Sequence, residues 1–329
     1  MSDRGPERAD AQHATTARRG FCCTSLATAL CCLPALRGQA ALLQTHPLAI
    51  AEVAPGIYVS HGVHAEATAD NLGAIANIGF IVGTEAVAVL DSGGCALWGQ
   101  RLREAIRTVT PRPIRYLINS HVHPDHLFGN AAFFADAPTI IGHAKLPAAL
   151  AARGQYYLDR LQQELGTAAA GTQIVPPTAT VADRLEIDLG GRTLRLQAHP
   201  TAHTDNDLSV FDGATGTLLP ADLLFMERTP AIDGSLKGWL AAIGELRRMP
   251  AARVVPGHGP VVADWPSALD AQERYLRTLL EDIRAILRAH GTMEQATDTA
   301  GSAERDKWQL FDDYNPRNAT AAFAELEWE

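Results

Sequence analysis

The sequence predicts an α/β protein made of two similar halves packed together. Two observations predict this class: short β-branched runs bounded by glycine alternate with amphipathic segments, and the alternation occurs twice along the chain. The 329 residues are 47% hydrophobic and 20% charged, so the chain can bury a sizeable core and is not expected to be disordered. No Pro/Ser-rich linker divides residues 41–329, which we therefore predict to form one domain.

The first half contains four predicted strands and two predicted helices. Apolar residues recur at about one helical turn over 97–108, which predicts a helix. A second helix is expected over 145–165, broken near Gly154. The predicted strands are the β-branched runs at 56–60, 79–82, 86–90 and 113–119.

The second half contains two predicted strand pairs and a long helix. The runs at 185–189 and 193–197 flank two glycines, a typical hairpin turn, and a second pair spans 208–211 and 217–219. Leucine and isoleucine line one face of residues 268–290, which predicts a helix. Two shorter helices are expected after it. Together these three form the C-terminal helices, which we predict to begin at about residue 267.

The first 40 residues have the layout of a secretory signal. Arg18-Arg19 precede an uncharged stretch, and small residues near Ala40 suit a signal peptidase. The paired arginines resemble a twin-arginine signal, so we predict export to the periplasm; a short buried helix is the alternative. Four of the five cysteines lie in this segment, which leaves Cys95 without an intrachain disulfide partner in the mature chain.

Composition also limits the partners of the chain. A formal net charge of -9 disfavours nucleic acid, because phosphate backbones are bound by clustered Lys and Arg. No apolar run reaches the roughly 18 residues that span a bilayer, so no stable membrane anchor is expected.

The candidate chemistry lies in residues 119–126, NSHVHPDH, directly after a predicted strand. His121 and His123 project to the same side of an extended segment, and Asp125 and His126 can reach a neighbouring point. Three imidazoles and a carboxylate this close together form a metal-ligand set that favours zinc or another borderline divalent ion. The alternative is a solvated polar loop, but it leaves unexplained three further candidate ligands that follow strand-like runs: His203, Asp222 and His258.

The order of these motifs, HxHxDH, then His203, then Asp222, then PGHG around His258, resembles the metallo-β-lactamase superfamily. The resemblance implies a four-layer αβ/βα sandwich with a metal site at the rim between two sheets. In the implied division of ligands, Asp222 bridges two zinc ions, and Asp91 supports the metal ligands without binding a metal itself. One zinc would be held by His121, His123 and His203, and the other by Asp125, His126 and His258.

The resemblance also extends to a narrower group. Segments 54–59, 71–80 and 323–327 resemble the exported quinoprotein relay system zinc metallohydrolase group and its sulfur-oxidation-linked relatives. This implies a functional link to a periplasmic quinoprotein dehydrogenase system, but the resemblance supplies no substrate.

The implied activity is hydrolysis by a hydroxide that bridges two zinc ions, with iron or manganese as alternative metals. Asp125 is the predicted catalytic residue, orienting the hydroxide and passing a proton to the leaving group. A bridging Asp222 favours a small ester, thioester or lactone over a β-lactam. The alternatives are an iron-dependent sulfur-compound oxidoreductase, a β-lactamase and a non-catalytic accessory protein of a quinoprotein system.

Four further residues are candidates for contact with the small-molecule substrate. His61 and His64 lie in a loop that can overhang the site in the resembled fold, and a solvated turn is the alternative. Tyr156 and Tyr157 lie in a helix-like region that often walls the pocket in that fold, and core packing is the alternative.

Overall fold

Twelve strands form the framework of residues 48–329, the part of the chain that the computed structural model describes. The predicted signal at 1–40 lies outside the described residues. The strands are β1 (Ala51–Ala54), β2 (Ile57–Ser60), β3 (Ile78–Val82), β4 (Val87–Leu90), β5 (Ile114–Ile118), β6 (Thr139–His143), β7 (Ala179–Val181), β8 (Arg184–Asp188), β9 (Thr193–Ala198), β10 (Leu208–Asp212), β11 (Thr217–Phe225) and β12 (Arg253–His258). A seven-stranded sheet has the order β1 to β7, and a five-stranded sheet has the order β12-β11-β10-β9-β8.

Helices follow or separate these strands. They are α1 (Ala96–Val109), α2 (Pro124–Leu127), α3 (Leu146–Leu165), α4 (Leu236–Leu246), α5 (Asp270–Arg288), α6 (Met293–Thr299) and α7 (Phe311–Leu326). A 3₁₀ turn at Ser267–Leu269 precedes α5, close to the predicted start of the C-terminal helices. Within residues 48–329, no helix combines the length and the apolar character that crossing a membrane requires.

Strand β4 shows how two of the layers form. Val87 and Val89 pack in one core with Leu102 of α1, whereas Ala88 and Leu90 pack in another core with residues of the five-stranded sheet. Because neighbouring side chains of a strand point to opposite faces, this uniformly apolar run fills the space between the sheets and the space under α1.

The outer face of the five-stranded sheet is covered by the later helices. Trp239 of α4, Leu276 of α5 and Phe323 of α7 share one core with Leu218 of β11. The layers therefore run helix, sheet, sheet, helix, and the predicted four-layer αβ/βα sandwich is confirmed.

Two parallel strand pairs bring the candidate site residues to one edge of the sandwich. Leu90 of β4 lies opposite Ile118 of β5, so Asp91 comes directly beside the start of loop 119–126. Phe225 of β11 lies opposite His258 of β12. Since the carboxyl ends of parallel strands meet at the same edge, residues far apart in sequence converge there.

Two details of the predicted elements are wrong. Helix α3 is continuous through Gly154. This glycine is buried and lies close to Ile174, so it permits close packing and does not break the helix. Strand β11 runs to Phe225 instead of ending at residue 219, so Asp222 lies inside a strand and not after one. The pairing of β11 with β12 shifts register around Ala221, whose φ is +48°, and this irregularity changes the local path of the strand next to Asp222.

Candidate metal centre

The structure brings the seven predicted ligands into two adjacent groups. In each group the nitrogen and oxygen atoms that can bind a metal lie within 4.8 Å of one another. The first group contains His121, His123, His203 and Asp222, and the second contains Asp125, His126 and His258.

Loop 119–126 owes its shape to a buried carboxylate at the end of the neighbouring strand. Asp91 accepts hydrogen bonds from the backbone N–H of Ser120 at 2.8 Å and from its hydroxyl at 2.7 Å. Pro124 then begins the short helix α2, which turns Asp125 and His126 toward the second group. The same Asp91 lies 2.8 Å from Nδ1 of His126, so one side chain positions both parts of the loop.

Three imidazole nitrogens of the first group converge on one point. His121 Nε2 lies 3.0 Å from His123 Nδ1, and His203 Nε2 lies 3.3 Å and 3.0 Å from these two atoms respectively. Tetrahedral zinc with bonds of about 2.0–2.1 Å sets its ligand atoms about 3.3 Å apart. The spacing is therefore close to that of three ligands sharing one ion.

The outward-facing nitrogen of each imidazole in this group has a polar partner. His121 Nδ1 lies 2.9 Å from Ser120 Oγ, and His203 Nδ1 lies 2.7 Å from the carbonyl oxygen of Ala231. His123 Nε2 lies 3.1 Å from Asp233 Oδ2, and Arg153 forms an ion pair with the same carboxylate. Such partners fix the tautomer and the ring orientation, and they leave the inward nitrogen as the electron-pair donor.

The second group is looser, and one of its members reaches the solvent. His258 Nε2 and His126 Nε2 lie 3.5 Å and 3.7 Å from Asp125 Oδ2. His258 Nδ1 lies 2.7 Å from the carbonyl oxygen of Ile75, which leaves Nε2 directed at the group. Asp125 has a side chain that is 15% exposed, whereas His126 is fully buried.

Asp222 lies between the two groups. Its Oδ2 is 3.4 Å from His203 Nε2 in the first group and 3.3 Å from His258 Nε2 in the second. Its Oδ1 is 3.1 Å from His126 Nε2. The carboxylate is therefore within reach of both groups, as a bridging ligand has to be.

Burial and charge set the protonation of these side chains. Burial lowers the pKa of His203 to about 3 and holds the pKa of His121 well below its usual range. Both are therefore neutral at pH 7, the form that binds a metal. Burial also disfavours charge on His126, but the nearby carboxylates, Asp222 foremost, outweigh it and raise the pKa of His126 well above the usual range. Burial raises the pKa of Asp222, yet the imidazoles around it, His126 foremost, bring that pKa well below its usual range.

Two buried atoms at the centre have no hydrogen-bond partner among residues 48–329. They are His126 Nε2 and Asp222 Oδ1, which lie 3.1 Å apart as an ion pair but without the geometry of a hydrogen bond. A buried polar atom without a partner costs about 1–3 kcal/mol, so native structures rarely contain one without a reason. Both atoms are ligands that a borderline divalent cation accepts, and together with the converging imidazoles they fit a metal ion.

Two further side chains hold the loops that carry the more distant histidines. Asn77 donates to the carbonyl oxygens of Pro256 and Gly259, which flank His258. Asp207 accepts hydrogen bonds from the backbone N–H and the hydroxyl of Thr204, next to His203, and burial raises the pKa of this carboxyl to about 7. The positions of His203 and His258 are thus set by contacts within their own loops and with a neighbouring segment.

A cavity of about 370 Å³ opens onto both groups. Tyr157 lines this cavity, as expected for a substrate contact. Tyr156 is 60% exposed, and neither it nor His61 and His64 belongs to the lining of the cavity within the described residues. Contact of any of the four with substrate stays a prediction.

Sequence reasoning missed several residues that surround the cavity. Asp233 supports His123, and Arg228 lies 3.4 Å from the Nδ1 atom of His258. Tyr314 and Arg317 reach the cavity from α7, the last helix of the chain. No local motif marks these positions, because each acquires its place only from contacts between segments distant in sequence.

A four-layer αβ/βα sandwich with clustered histidines and aspartates at one edge of its sheets defines the class as a two-sheet α/β fold with a candidate metal centre. Residues 73–258, more than half of the chain, match the model of a family described as the metallo-beta-lactamase superfamily. The chain belongs to this superfamily, and the predicted superfamily is confirmed.

Other proteins are similar to the chain in sequence or in fold. A "Beta-lactamase-like protein 2 homolog" of Caenorhabditis elegans is 24% identical over 187 residues, which are 57% of this chain and 56% of that protein. The chain thus matches little more than half the length of that relative. A metallo-beta-lactamase from Pontibacter korlensis has a TM-score of 0.57 at 20% identity, covering 70% of this chain and 99% of its own.

A protein described as an alkylsulfatase has the same fold. The stereoselective inverting sec-alkylsulfatase from Pseudomonas sp. has a TM-score of 0.62 at 16% identity, covering 88% of this chain and 54% of its own. At such identities these structures show the shared fold alone. The narrower quinoprotein-linked group stays a prediction.

Proposed function

We propose that the protein is a hydrolase that binds two divalent cations, zinc foremost, and cleaves a small ester, thioester or lactone. One observation carries the proposal: Asp222 lies within 3.4 Å of imidazole nitrogens from both groups, and its buried Oδ1 has no hydrogen-bond partner in the described residues. A carboxylate in that position serves two adjacent cations better than one. Manganese and iron fit similar ligands, so the metal has to be measured.

The ligand atoms available here match the chemistry of such a reaction. The first group would hold one cation through its three imidazoles, the second group would hold the other, and Asp222 would join them. Two divalent cations supply Lewis acidity and lower the pKa of water, which permits hydrolysis near neutral pH.

Asp125 is the residue best placed to move a proton. Its side chain is 15% exposed and lines the cavity, whereas the histidines beside it are buried. Burial raises the pKa of Asp125, but the neighbouring imidazoles, His126 foremost, outweigh burial and lower it, so the carboxylate is ionised at pH 7. Its Oδ2 can accept a proton from water in the cavity and return it to a leaving group.

The size of the cavity supports a small substrate. The cavity volume of about 370 Å³ lies within the range of pockets that bury drug-sized molecules, and it is too small to enclose a long polymer. The formal net charge of -9 also disfavours a polyanionic substrate such as nucleic acid.

Export to the periplasm and a link to a quinoprotein dehydrogenase system belong to the same proposal. They are supported by Arg18-Arg19 in the predicted signal and by the resemblance of segments 54–59, 71–80 and 323–327. Replacing both arginines by lysine should trap the protein in the cytoplasm, as measured by cell fractionation. Unchanged recovery in the periplasm would rule out the twin-arginine route.

The proposed hydrolase is tested on one purified sample. We expect about two zinc ions per chain by elemental analysis and turnover of at least one class in a panel of esters, thioesters, lactones and β-lactams. Asp222→Asn should lower the metal content and abolish turnover, while the exposed Asp298→Asn should match the wild type in both. One iron per chain with oxygen consumption would favour the oxidoreductase instead, and two metals with no turnover would favour the accessory protein.

A further inference from the structure

A buried arginine in the cavity wall has no carboxylate partner. Arg228 is 2% exposed, and its guanidinium donates to the hydroxyl of Tyr314 and to the carbonyl oxygen of Ala65. No ion pair within residues 48–329 includes Arg228, and its Nε has no hydrogen-bond partner there. Buried charges are normally paired, because removing a charge from water is costly.

A second arginine lies on the same tyrosine. The guanidinium carbon of Arg228 is 4.8 Å from the centre of the Tyr314 ring, and that of Arg317 is 5.5 Å from it. Arg317 is exposed, lines the cavity, and makes no ion pair or hydrogen bond within the described residues. The aromatic ring therefore holds two positive charges at one end of the cavity.

Most acidic groups of the cavity already have partners. Asp125 and Asp222 belong to the candidate metal centre, and Asp233 is paired with Arg153. Glu164 is paired with Arg160.

Glu66 is the remaining carboxylate in the lining of this cavity. Its charge acts on the hydroxyl of Tyr314, and its Oε1 has no hydrogen-bond partner among residues 48–329. The end of the cavity near Tyr314 thus contains two arginines that have no ion-pair partner among the described residues, and Glu66 and Asp125 are the carboxylates whose charge acts on Tyr314. Burial raises the pKa of Tyr314, so its hydroxyl stays protonated.

We propose that Arg228, Tyr314 and Arg317 form a recognition site for a carboxylate carried by the substrate. This inference rests on the proposed hydrolase and specifies its substrate as an ester, thioester or lactone with an acidic tail. A guanidinium matches the two oxygens of a carboxylate, and an exposed arginine can reorient to form that pair. Arg228 Nη1 lies 3.4 Å from His258 Nδ1, so the acidic tail would bind next to the second group of the metal centre.

Tyr314 and Arg317 lie outside the family match, which ends at residue 258. Two of the three residues of the recognition site therefore come from helix α7, beyond the residues that the family model matches.

Two esters that differ only in the tail test this site. The probes are mono(4-nitrophenyl) glutarate, which ends in a carboxylate, and 4-nitrophenyl valerate, which is neutral. We expect the wild type to favour the glutarate ester at least about tenfold in kcat/KM, because the free energy of a hydrogen bond to a charged group corresponds to at least that ratio. Arg317→Met should remove most of this preference, and Glu66→Gln, which deletes the competing carboxylate, should increase it.

A matched control distinguishes the site from a general effect of charge. Arg288→Met also removes an exposed arginine, but Arg288 does not line the cavity, so the preference should stay that of the wild type. Equal kcat/KM values of the two esters in the wild type, or an unchanged preference in Arg317→Met, would overturn the assignment.

Binding of free glutarate separates this inference from the hydrolase itself. Isothermal titration of the purified metal-loaded protein should show binding that weakens at least about tenfold in Arg317→Met and not in Arg288→Met. If no ester is cleaved but this difference is found, the recognition site stands and the proposed hydrolase fails. If glutarate binds both variants equally well, the recognition site is refuted whatever the esters show.

Discussion

Replacing Gly257 by alanine should damage the candidate metal centre without replacing any of its candidate ligands. A Cβ atom at this position would lie 1.9 Å from Asp222 Oδ1 and 2.7 Å from the carbonyl carbon of Ala221. Non-bonded heavy atoms at their energy minimum lie about 3.5–4.0 Å apart, so the new methyl group would overlap the carboxylate by more than about 1 Å. The backbone of Gly257 does not have a positive φ, so the expected effect is steric and not conformational.

The overlap can be relieved only if Asp222 or strand β12 moves. Forcing extra volume into a packed site costs about 1–3 kcal/mol, and displacing Asp222 would remove the carboxylate that the proposed hydrolase shares between two cations. We expect Gly257→Ala to lose at least one of two metal ions and to lower metal affinity about 10–100-fold or more. Elemental analysis after dialysis and competition with a coloured chelator measure the two quantities.

The control is Gly244→Ala in helix α4. A Cβ atom there has no heavy atom within 4 Å, so this variant should keep its metals and gain about 0.5–1 kcal/mol of stability from alanine in a helix. Wild-type metal content and affinity in Gly257→Ala would refute the argument that Asp222 is held at the centre by the bare backbone beside it.

Three further outcomes are expected. Removing metal with EDTA should lower the melting temperature by roughly 5–10 °C in differential scanning calorimetry, since ligand binding stabilises only the folded state; an unchanged value would mean that the two groups hold no ion. Asp233→Ala, which frees His123 Nε2, should weaken metal binding about 10–100-fold in chelator competition, and Asp233→Asn should weaken it less; equal affinities in all three proteins would contradict a positioning role. Glu304 is 2% exposed, and burial raises its pKa, but the ion pair with Arg274 outweighs burial and lowers that pKa. Glu304→Gln should therefore lower the free energy of unfolding by about 1–3 kcal/mol in urea at pH 7. The pKa of Glu304 in the folded state lies below the unfolded value of 4.5. The difference in unfolding free energy between Glu304→Gln and the wild type should therefore be constant above pH 5 and vanish as the pH falls through the folded pKa. A difference that grows in acid would show the opposite shift.

The candidate ligands in loop 119–126 could be identified from the sequence because they are local. His121, His123, Asp125 and His126 lie within six residues after a strand, and alternation along an extended chain places the first two on one side. The strand and helix pattern likewise predicted most elements, since alternating burial requires apolar residues at regular spacing. The break at Gly154 failed because a glycine inside a helix can also mark close packing against another segment.

Tertiary structure decided how the distant candidate ligands group. His203 meets His121 across 82 positions of sequence, and His258 meets Ile75 across 183. The parallel pairing of β11 with β12 places Asp222 between the two groups, and no local pattern encodes that pairing.

The surroundings of the centre depended on tertiary structure even more. Asp233 contacts His123 across 110 positions, and Tyr314 contacts Arg228 across 86. Sequence by itself determined which side chains can bind a metal, because ligand chemistry belongs to the residue type. The folded chain decided which of them lie close enough to share an ion, which carboxylate lies between them and which charges line the cavity, because those properties depend on distances that only packing sets.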